Sequence, residues 1–384
     1  DGKKLYDAVQ KAIDKAKLLA DVVIGLGHLG VDPSSSPWTS EEVIAHTSGF
    51  DAFIDGHSHT VMENKQVQDA SGKAVTLTQT GSYFANVGEM TIAADGTITT
   101  KLIPTHEGMD AGIAAMQTSW VNTVDDMLGE KIAVGDSDFY VTDPATGKRR
   151  IRSAETNLGD FVADGIYTYF NEVEKLHCDL AIMNGGGIRA DVPAGDWTFK
   201  TCKQVSPFGN VACLMSVTGK QIQDALEFAA RFAGEGGKEN GGFLQVAGAT
   251  YEIHTNIPNT VQTDEKNVWI GSATGTPRVQ NVKIYDKASG SYLPLDPGAT
   301  YALAGMNYTL RNLGDGFAMF DGAELIKDYV SEDYLVMSTY AMIFDGADAA
   351  GLPHLSSANS PLAAYPVYLL NYEQPYGAGR ITIL

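Results

Sequence analysis

Cysteine is scarce in this chain: Cys178, Cys202 and Cys213 are the only three in 384 residues. So thin and odd a set excludes a dense disulfide framework, leaves room for one bridge, and does not reveal the redox compartment. Nowhere do about twenty apolar residues follow one another, so no helix capable of spanning a membrane is expected. Positive charge is short as well, with 27 Lys and Arg against 47 Asp and Glu and a formal charge of −20. Polyanions such as DNA and anionic lipid surfaces are repelled by that balance, so no nucleic acid polymer is expected as a partner. A small phosphorylated ligand would need a local cluster of positive charge. The first residues also lack the charged, apolar and small-residue succession of a signal peptide.

What is present reads as an ordinary globular protein, 44% hydrophobic and 19% charged, long enough for two or three domains. Residues 5–19 place Leu5, Val9, Ala12, Ile13, Ala16 and Leu19 at helical spacing, an amphipathic helix. "DVVIGLGHLG" reads as a buried strand ending at His28, "SEEVIAHTS" as a helix, and "DAFIDGHSH" as a second strand. Strand, helix and strand within about forty residues predict a parallel βαβ unit, whose ligands gather beyond the carboxyl ends of the strands. Residues 73–105 read as antiparallel strands with a turn at Ala94-Asp95-Gly96. Helical spacing returns from Asp110 to Leu128, with Ile113, Met116, Trp120, Val124 and Met127 on one stripe. Motif content changes across that helix, so it is taken as the connection to a second domain of mixed helices and short strands. No internal repeat is evident.

The chemistry concentrates in a few short stretches. His57 and His59 follow the second strand in "DGHSHT", and His28 follows the first in "GLGHLG". A His-x-His taken alone is as readily a pair of satisfied polar side chains. Three histidines at the ends of two adjacent strands, with glycine directly before His28 and His57, point instead to imidazoles directed into one pocket, a donor type that suits zinc, manganese or iron. His46, His106, His177, His254 and His354 have no such setting and read as ordinary surface or partly buried groups. "MNGGGIRADV" sets Asn184 and Arg189 around three glycines after the strand "CDLAI". Bare backbone lets a ligand lie close, and an arginine fork pairs with phosphate or carboxylate oxygens. "VSPFGN" and "MNYTLRNLGDGF" add Phe208, Tyr308 and Asp315 beside further glycines. Aromatics there could stack a flat ring and the aspartate could accept from sugar hydroxyls, although each alone is as readily a core or turn residue.

"GLGHLG", "DGHSHT", "NGGGIRADV", "PFGN" followed by "TGKQIQDALE", and "GDGF" occur here in an order that resembles the 5′-nucleotidase family of metal-dependent phosphoesterases, which includes UDP-sugar hydrolases. The resemblance implies a mixed α/β fold. Residues 1–108 would be the C-terminal part of a metallophosphatase domain, 109–131 a linker helix, and 132–384 a C-terminal nucleoside-binding domain. It implies two divalent metal ions (zinc, manganese or cobalt), with His28 and His57 as ligands of one and His59 of the other. It further implies Arg152 as a substrate arginine, with Arg149 and Arg150 as neighbouring alternatives. Asn184, Gly186, Gly187 and Arg189 would be the nucleotide-holding loop, Phe208 and Tyr308 the base-stacking pair, and Asp315 the ribose-binding aspartate. The stretch from Tyr308 to Asp315 is about one residue longer than the family's.

The family's Asp-x-His, Gly-Asp and Gly-Asn-His-Glu/Asp segments, with the catalytic histidine, have no counterpart here. Their absence implies a family member lacking roughly its first two hundred residues, with no catalytic residue of its own. Such a chain would bind metal weakly, turn over little substrate, and stay attached to a companion N-terminal fragment. The implied activity of the complete protein is release of phosphate from nucleoside 5′-monophosphates, extending to UDP-sugars or nucleoside di- and triphosphates, at a periplasmic or cell-surface location. A 2′,3′-cyclic-nucleotide phosphodiesterase with 3′-nucleotidase activity and a non-catalytic nucleotide-binding module are the alternatives.

Overall fold

A computed structural model describes residues 2–32, 35–105, 108–234 and 238–384. His106, one of the five histidines without a site setting, lies outside the described residues. The chain divides into two compact units, one running to Ala114 with residues 264–267, the other covering 115–263 and 268–384.

The first unit begins with helix α1 (Gly2–Lys17), followed by β1 (Ile24–Leu26), α2 (Ser40–Ala45) and β2 (Ala52–Ile54). Strands β1 and β2 pair in parallel, Ile24 opposite Ala52, as the strand–helix–strand spacing predicts. Strands β3 (Val61–Gln68) and β4 (Ala74–Thr80) complete a sheet of order β1-β2-β4-β3, and β5 (Asn86–Ile92) with β6 (Ile98–Pro104) forms a hairpin turning at Gly96. The core is small: Ile13, Val23, Val43, Ile44, Phe50, Phe53, Val75 and Leu77. Two expectations need correction. Helix α1 stops before Leu18 and Leu19, which are exposed, and β1 is not a buried strand, since Leu26 is 82% exposed. Order in the sheet explains the latter: β1 is an edge strand, with a neighbour on one side only. Helix α3 (Ala111–Leu128) follows, and none of its residues is buried.

In the second unit come β7 (Lys131–Gly135), α4 (Asn157–Thr168), β8 (Leu180–Asn184), β9 (Gly195–Thr198), α5 (Phe199–Val205), β10 (Ala212–Thr218) and α6 (Gly219–Ala229). Then follow β11 (Leu244–Ala247), β12 (Ala249–Ile253), β13 (Gln262–Thr263), β14 (Trp269–Gly271), β15 (Val279–Asp286), β16 (Ser291–Pro294), β17 (Thr300–Met306) and α7 (Asn307–Leu310). Strand β18 (Glu324–Lys327), α8 (Asp333–Met342), β19 (His354–Leu355) and β20 (Ile381–Ile383) end the chain. The central sheet runs β11-β8-β17-β10-β18. Period-two alternation divides its side chains between two cores: Ala181 and Met183 of β8 join the cluster around α4 and α8, whereas Leu180 and Ile182 join the one around α6. Both faces are thus covered, which is why every residue of β8 is buried and apolar up to Asn184. Helix α4 is buried along all its residues and starts at Thr156, whose hydroxyl accepts the Gly159 amide; α6 starts with a reciprocal Thr218–Gln221 capping box.

This topology sends four connections to one edge of the sheet. Strands β8 and β17 are parallel, so their carboxyl ends coincide, and β10 and β11 run antiparallel to their neighbours, so their amino ends lie there too. The glycine turn after β8, the Tyr308 segment after β17, the Pro207–Phe208 loop before β10 and Gly241–Gly242 before β11 therefore meet. Three of these four segments were singled out in the sequence.

Candidate functional site

In the first unit the loops after β1 and β2 are tied together by the buried Asp55. Its carboxylate accepts the Leu29 amide at 2.8 Å, the Gly30 amide at 3.4 Å and Gln79 Nε2 at 2.9 Å. This brings the His28 and His57 rings side by side, centroids 5.2 Å apart and nearly perpendicular. Glycine leaves room for both rings: a Cβ on Gly56 would crowd His28 Nδ1 at 3.1 Å, and one on Gly30, whose φ is 81°, would crowd His57 Cδ2 at 3.1 Å. His57 and His59 have φ of 75° and 56°, the left-handed region that non-glycine residues seldom occupy, a strain that accumulates at functional loops. The His59 ring packs edge-on to Tyr83, centroids 6.1 Å apart. Among the described residues no group of three or more His, Cys, Asp or Glu forms a cluster able to hold a metal ion. Asp55, the carboxylate nearest in sequence, is committed to amide donors. These imidazoles by themselves do not make up a two-ion site.

The second unit carries the denser constellation. Asn184 Nδ2 donates to Asp315 Oδ2 at 3.1 Å and the Tyr308 hydroxyl donates to Asp315 Oδ1 at 3.0 Å, so one carboxylate joins the ends of β8 and β17. Desolvation pushes the Asp315 carboxyl above its ordinary range, opposed by the hydrogen bonds from Tyr308 and Asn184 and by the charges of Arg231 and Arg152. Tyr308, desolvated beside that carboxylate, is pushed up to about 12. Its ring lies flat on backbone that only glycine permits, since a Cβ on Gly314 would stand 2.5 Å from it. Asp315 itself has φ of 55°.

The other residues are anchored to this pair. The Gly185 and Gly186 amides donate at 2.7 Å to the Phe243 and Gly241 carbonyls, locking the glycine turn onto the start of β11. A Cβ on Gly185 would stand 2.3 Å from the Ile151 carbonyl, so the segment bearing Arg152 presses on the same turn, while Gly187 packs over Met183. Arg189 donates to the Gly186 carbonyl at 3.4 Å and its guanidinium stands 5.7 Å from the centre of the Phe208 ring, which is 59% exposed. Val211 and Asn307 exchange hydrogen bonds, Val211 N to Asn307 Oδ1 at 2.9 Å and Asn307 N to the Val211 carbonyl at 2.8 Å, so the Phe208 and Tyr308 segments share a brace. Burial lowers Arg152's affinity for its proton, as do the like charges of Arg149 and Arg189. Arg152 Nε and Asn184 Oδ1 are buried without a hydrogen-bond partner among the described residues, the condition of groups that a ligand could satisfy.

All eight expected substrate residues are thus placed around one sheet edge. Five further residues serve the same site without being singled out by the sequence motifs: Asn240, Gly241 and Gly242 hold the turn, Asn307 braces the aromatics, and the charge of Arg231 offsets that of Asp315. A glycine pair behind an asparagine, "NGGF", repeats the pattern of "NGGG" and was the available signal.

Asp333 fixes the Phe208 loop from behind. Its carboxylate accepts the Asn210 amide at 3.1 Å and the Tyr334 amide at 2.8 Å, and burial pushes it up to about 6. Its unfolded value is about 3.9, so between the two the folded state holds the extra proton. This group's stabilising contribution is complete below about pH 3.9 and is lost as pH rises through about 6, a change of roughly 2–3 kcal/mol. Chemical denaturation of the wild type and Asp333→Asn at pH 4 and pH 7 checks this: the wild type is expected to lose that margin relative to the variant. An equal difference at both pH values would refute it.

Residues 133–322 match the family model for the 5′-nucleotidase, C-terminal domain. The trifunctional nucleotide phosphoesterase protein YfkN of Bacillus subtilis (strain 168) is 30% identical over 328 residues, covering 82% of this chain and 20% of that protein. The 5′-nucleotidase of Homo sapiens is 26% identical over 363 residues, covering 87% of this chain and 58% of that protein. A solved 5′-nucleotidase precursor from Thermus thermophilus has the same fold, with a TM-score of 0.64 at 22% identity over 99% of this chain and 67% of that one. The chain spans 20% and 58% of the two curated relatives' lengths. Every residue of the sheet-edge constellation, from Arg152 to Asp315, falls inside the matched segment, and the chain belongs to the 5′-nucleotidase family through its C-terminal domain.

Proposed function

We propose that this chain recognises the nucleoside of a nucleotide substrate and is part of a hydrolase that releases phosphate from nucleoside 5′-monophosphates. The observation that carries the reading is the Asp315 carboxylate held between Asn184 and Tyr308. Ribose hydroxyls are donors to such a carboxylate, a purine or pyrimidine ring stacks on Phe208 and Tyr308, and Arg152 and Arg189 face the phosphate. Gly186 and Gly187 let the ligand approach backbone. In the first unit, His28, His57 and His59 are the proposed metal ligands, a part of the shell rather than the whole. Division of the compact units inside α3 supports residues 109–131 as a connection between a metallophosphatase part, 1–108, and a nucleoside-binding domain, 132–384. The location proposed is periplasmic or cell-surface; among the described residues no helix is long and apolar enough to cross a membrane.

Calorimetric titration of the 384-residue chain with adenosine, 5′-AMP and 3′-AMP in chelator tests the recognition half. Adenosine and 5′-AMP are expected to bind, 5′-AMP more tightly than 3′-AMP. No binding of adenosine overturns the nucleoside reading, and preference for 3′-AMP moves it to the 3′-nucleotidase alternative. Phosphate release from 5′-AMP in manganese then tests the hydrolytic half.

A further inference from the structure

Glu239 adjoins the Asn240–Gly241–Gly242 turn, and that turn is fixed from several sides. The Asn240 amide donates to the Arg152 carbonyl at 3.0 Å, its Nδ2 donates to the Ala229 carbonyl at 2.8 Å, and the Gly241 carbonyl accepts the Gly186 amide at 2.7 Å. The Glu239 carboxylate is thereby delivered to the arginines: Oε2 lies 3.1 Å from Arg149 Nε and 3.9 Å from Arg152 Nη1. Arg152 experiences Arg149 and Arg189 as like charges, with Glu239 and Asp315 as the offsetting anions. A chain of formal charge −20 thus concentrates three guanidiniums beside its glycine turn and sets a carboxylate among them. The Glu239 and Arg149 side chains are 37% and 39% exposed, so this pair is open to water and exchanges partners at little cost.

We infer that Glu239 sets the charge preference of the nucleotide site: its carboxylate competes with ligand phosphate for Arg149 and Arg152 and favours nucleosides and monophosphates over di- and triphosphates. This rests on the reading of the sheet edge as a nucleotide site. A phosphate reaching these arginines must displace Glu239 or sit beside it, and the repulsion grows with each added negative charge. Adenosine, uncharged, meets none of it.

The test is titration of the 384-residue chain and its Glu239→Gln variant with adenosine, AMP, ADP and ATP, in chelator, at low and high salt. Glu239→Gln is expected to leave adenosine within about twofold, tighten AMP about threefold and ATP about tenfold, with the gaps closing at high salt. Arg149→Gln is expected to weaken ADP and ATP while sparing adenosine, a reversal that stands even where Glu239→Gln fails to fold. Equal changes for all four ligands, or no change, in the folded variants would overturn the inference while leaving the nucleoside reading intact. Absence of adenosine binding to the wild type would overturn that reading, and the inference with it.

Discussion

Replacing Asp315 with alanine is expected to lower the affinity for adenosine about 30- to 100-fold. The carboxylate is the common acceptor for Asn184 and Tyr308, so its loss strands two donors and removes the anionic acceptor proposed for the ribose, together roughly 2–3 kcal/mol. Asp315→Asn separates these effects. Asparagine tolerates the φ of 55° and keeps an oxygen for one donor, so the nucleoside contacts weaken while the turn through Gly314 and Gly316 survives. The expected order of affinity is wild type, then Asn, then Ala, read by calorimetry, with the Phe208 brace unaffected. Equal affinity of wild type and Ala would remove Asp315 from the site. The pH dependence follows from the same geometry: desolvation raises this carboxyl, so adenosine affinity is expected to fall as pH is lowered through its folded value and to recover above it.

Much of this constellation could be read from residue order, because the residues proposed to touch a ligand are the ones that break local rules. Asn184 ends a run of buried apolar residues, glycines stand where the Ile151 carbonyl or the side chain of Met183 or Tyr308 comes within 2.3–2.5 Å of where a Cβ would be, and an aromatic in a glycine turn has no core to join. The β1–β2 pairing was legible for a similar reason, since parallel strands need a crossover that the spacing supplied. What escaped was set by tertiary position. Leu26 is apolar yet exposed because β1 is an edge strand, which periodicity cannot show. Arg231 and Asn307 gain meaning only from carbonyls and carboxylates distant in sequence, and Glu239 was indistinguishable from any surface acid until Arg149 and Arg152 came beside it.

Arg380 shows the same limit on a larger energy scale. It is fully buried, with Nη2 2.7 Å from Asp164 Oδ2, Nη1 donating to the Val246 carbonyl at 2.9 Å and Nε to the Leu369 carbonyl at 3.1 Å. Tyr368 and Tyr372 donate to the two oxygens of Asp164 at 2.8 and 2.7 Å, while the Gly379 and Ile381 amides donate to Glu155. This network ties the C-terminal strand β20 to helix α4, which in turn backs β8 and β11. Arg380→Met is expected to destabilise the second unit by about 3–5 kcal/mol, because Asp164 would stay buried without its cation. The joint replacement of Arg380 by Met and Asp164 by Leu is expected to recover a large part, since the exposed cost is the unpaired charge rather than the lost volume. Asp160, pushed up by burial and pulled down by Arg380, predicts how the loss depends on pH. Without the cation the Asp160 carboxyl is driven further toward its protonated form, which costs less at about pH 5 than at about pH 8. Denaturation of Arg380→Met should therefore show a deficit that grows with pH across that window; a deficit independent of pH would mean that Arg380 acts through packing and its carbonyl hydrogen bonds rather than through the Asp160 charge.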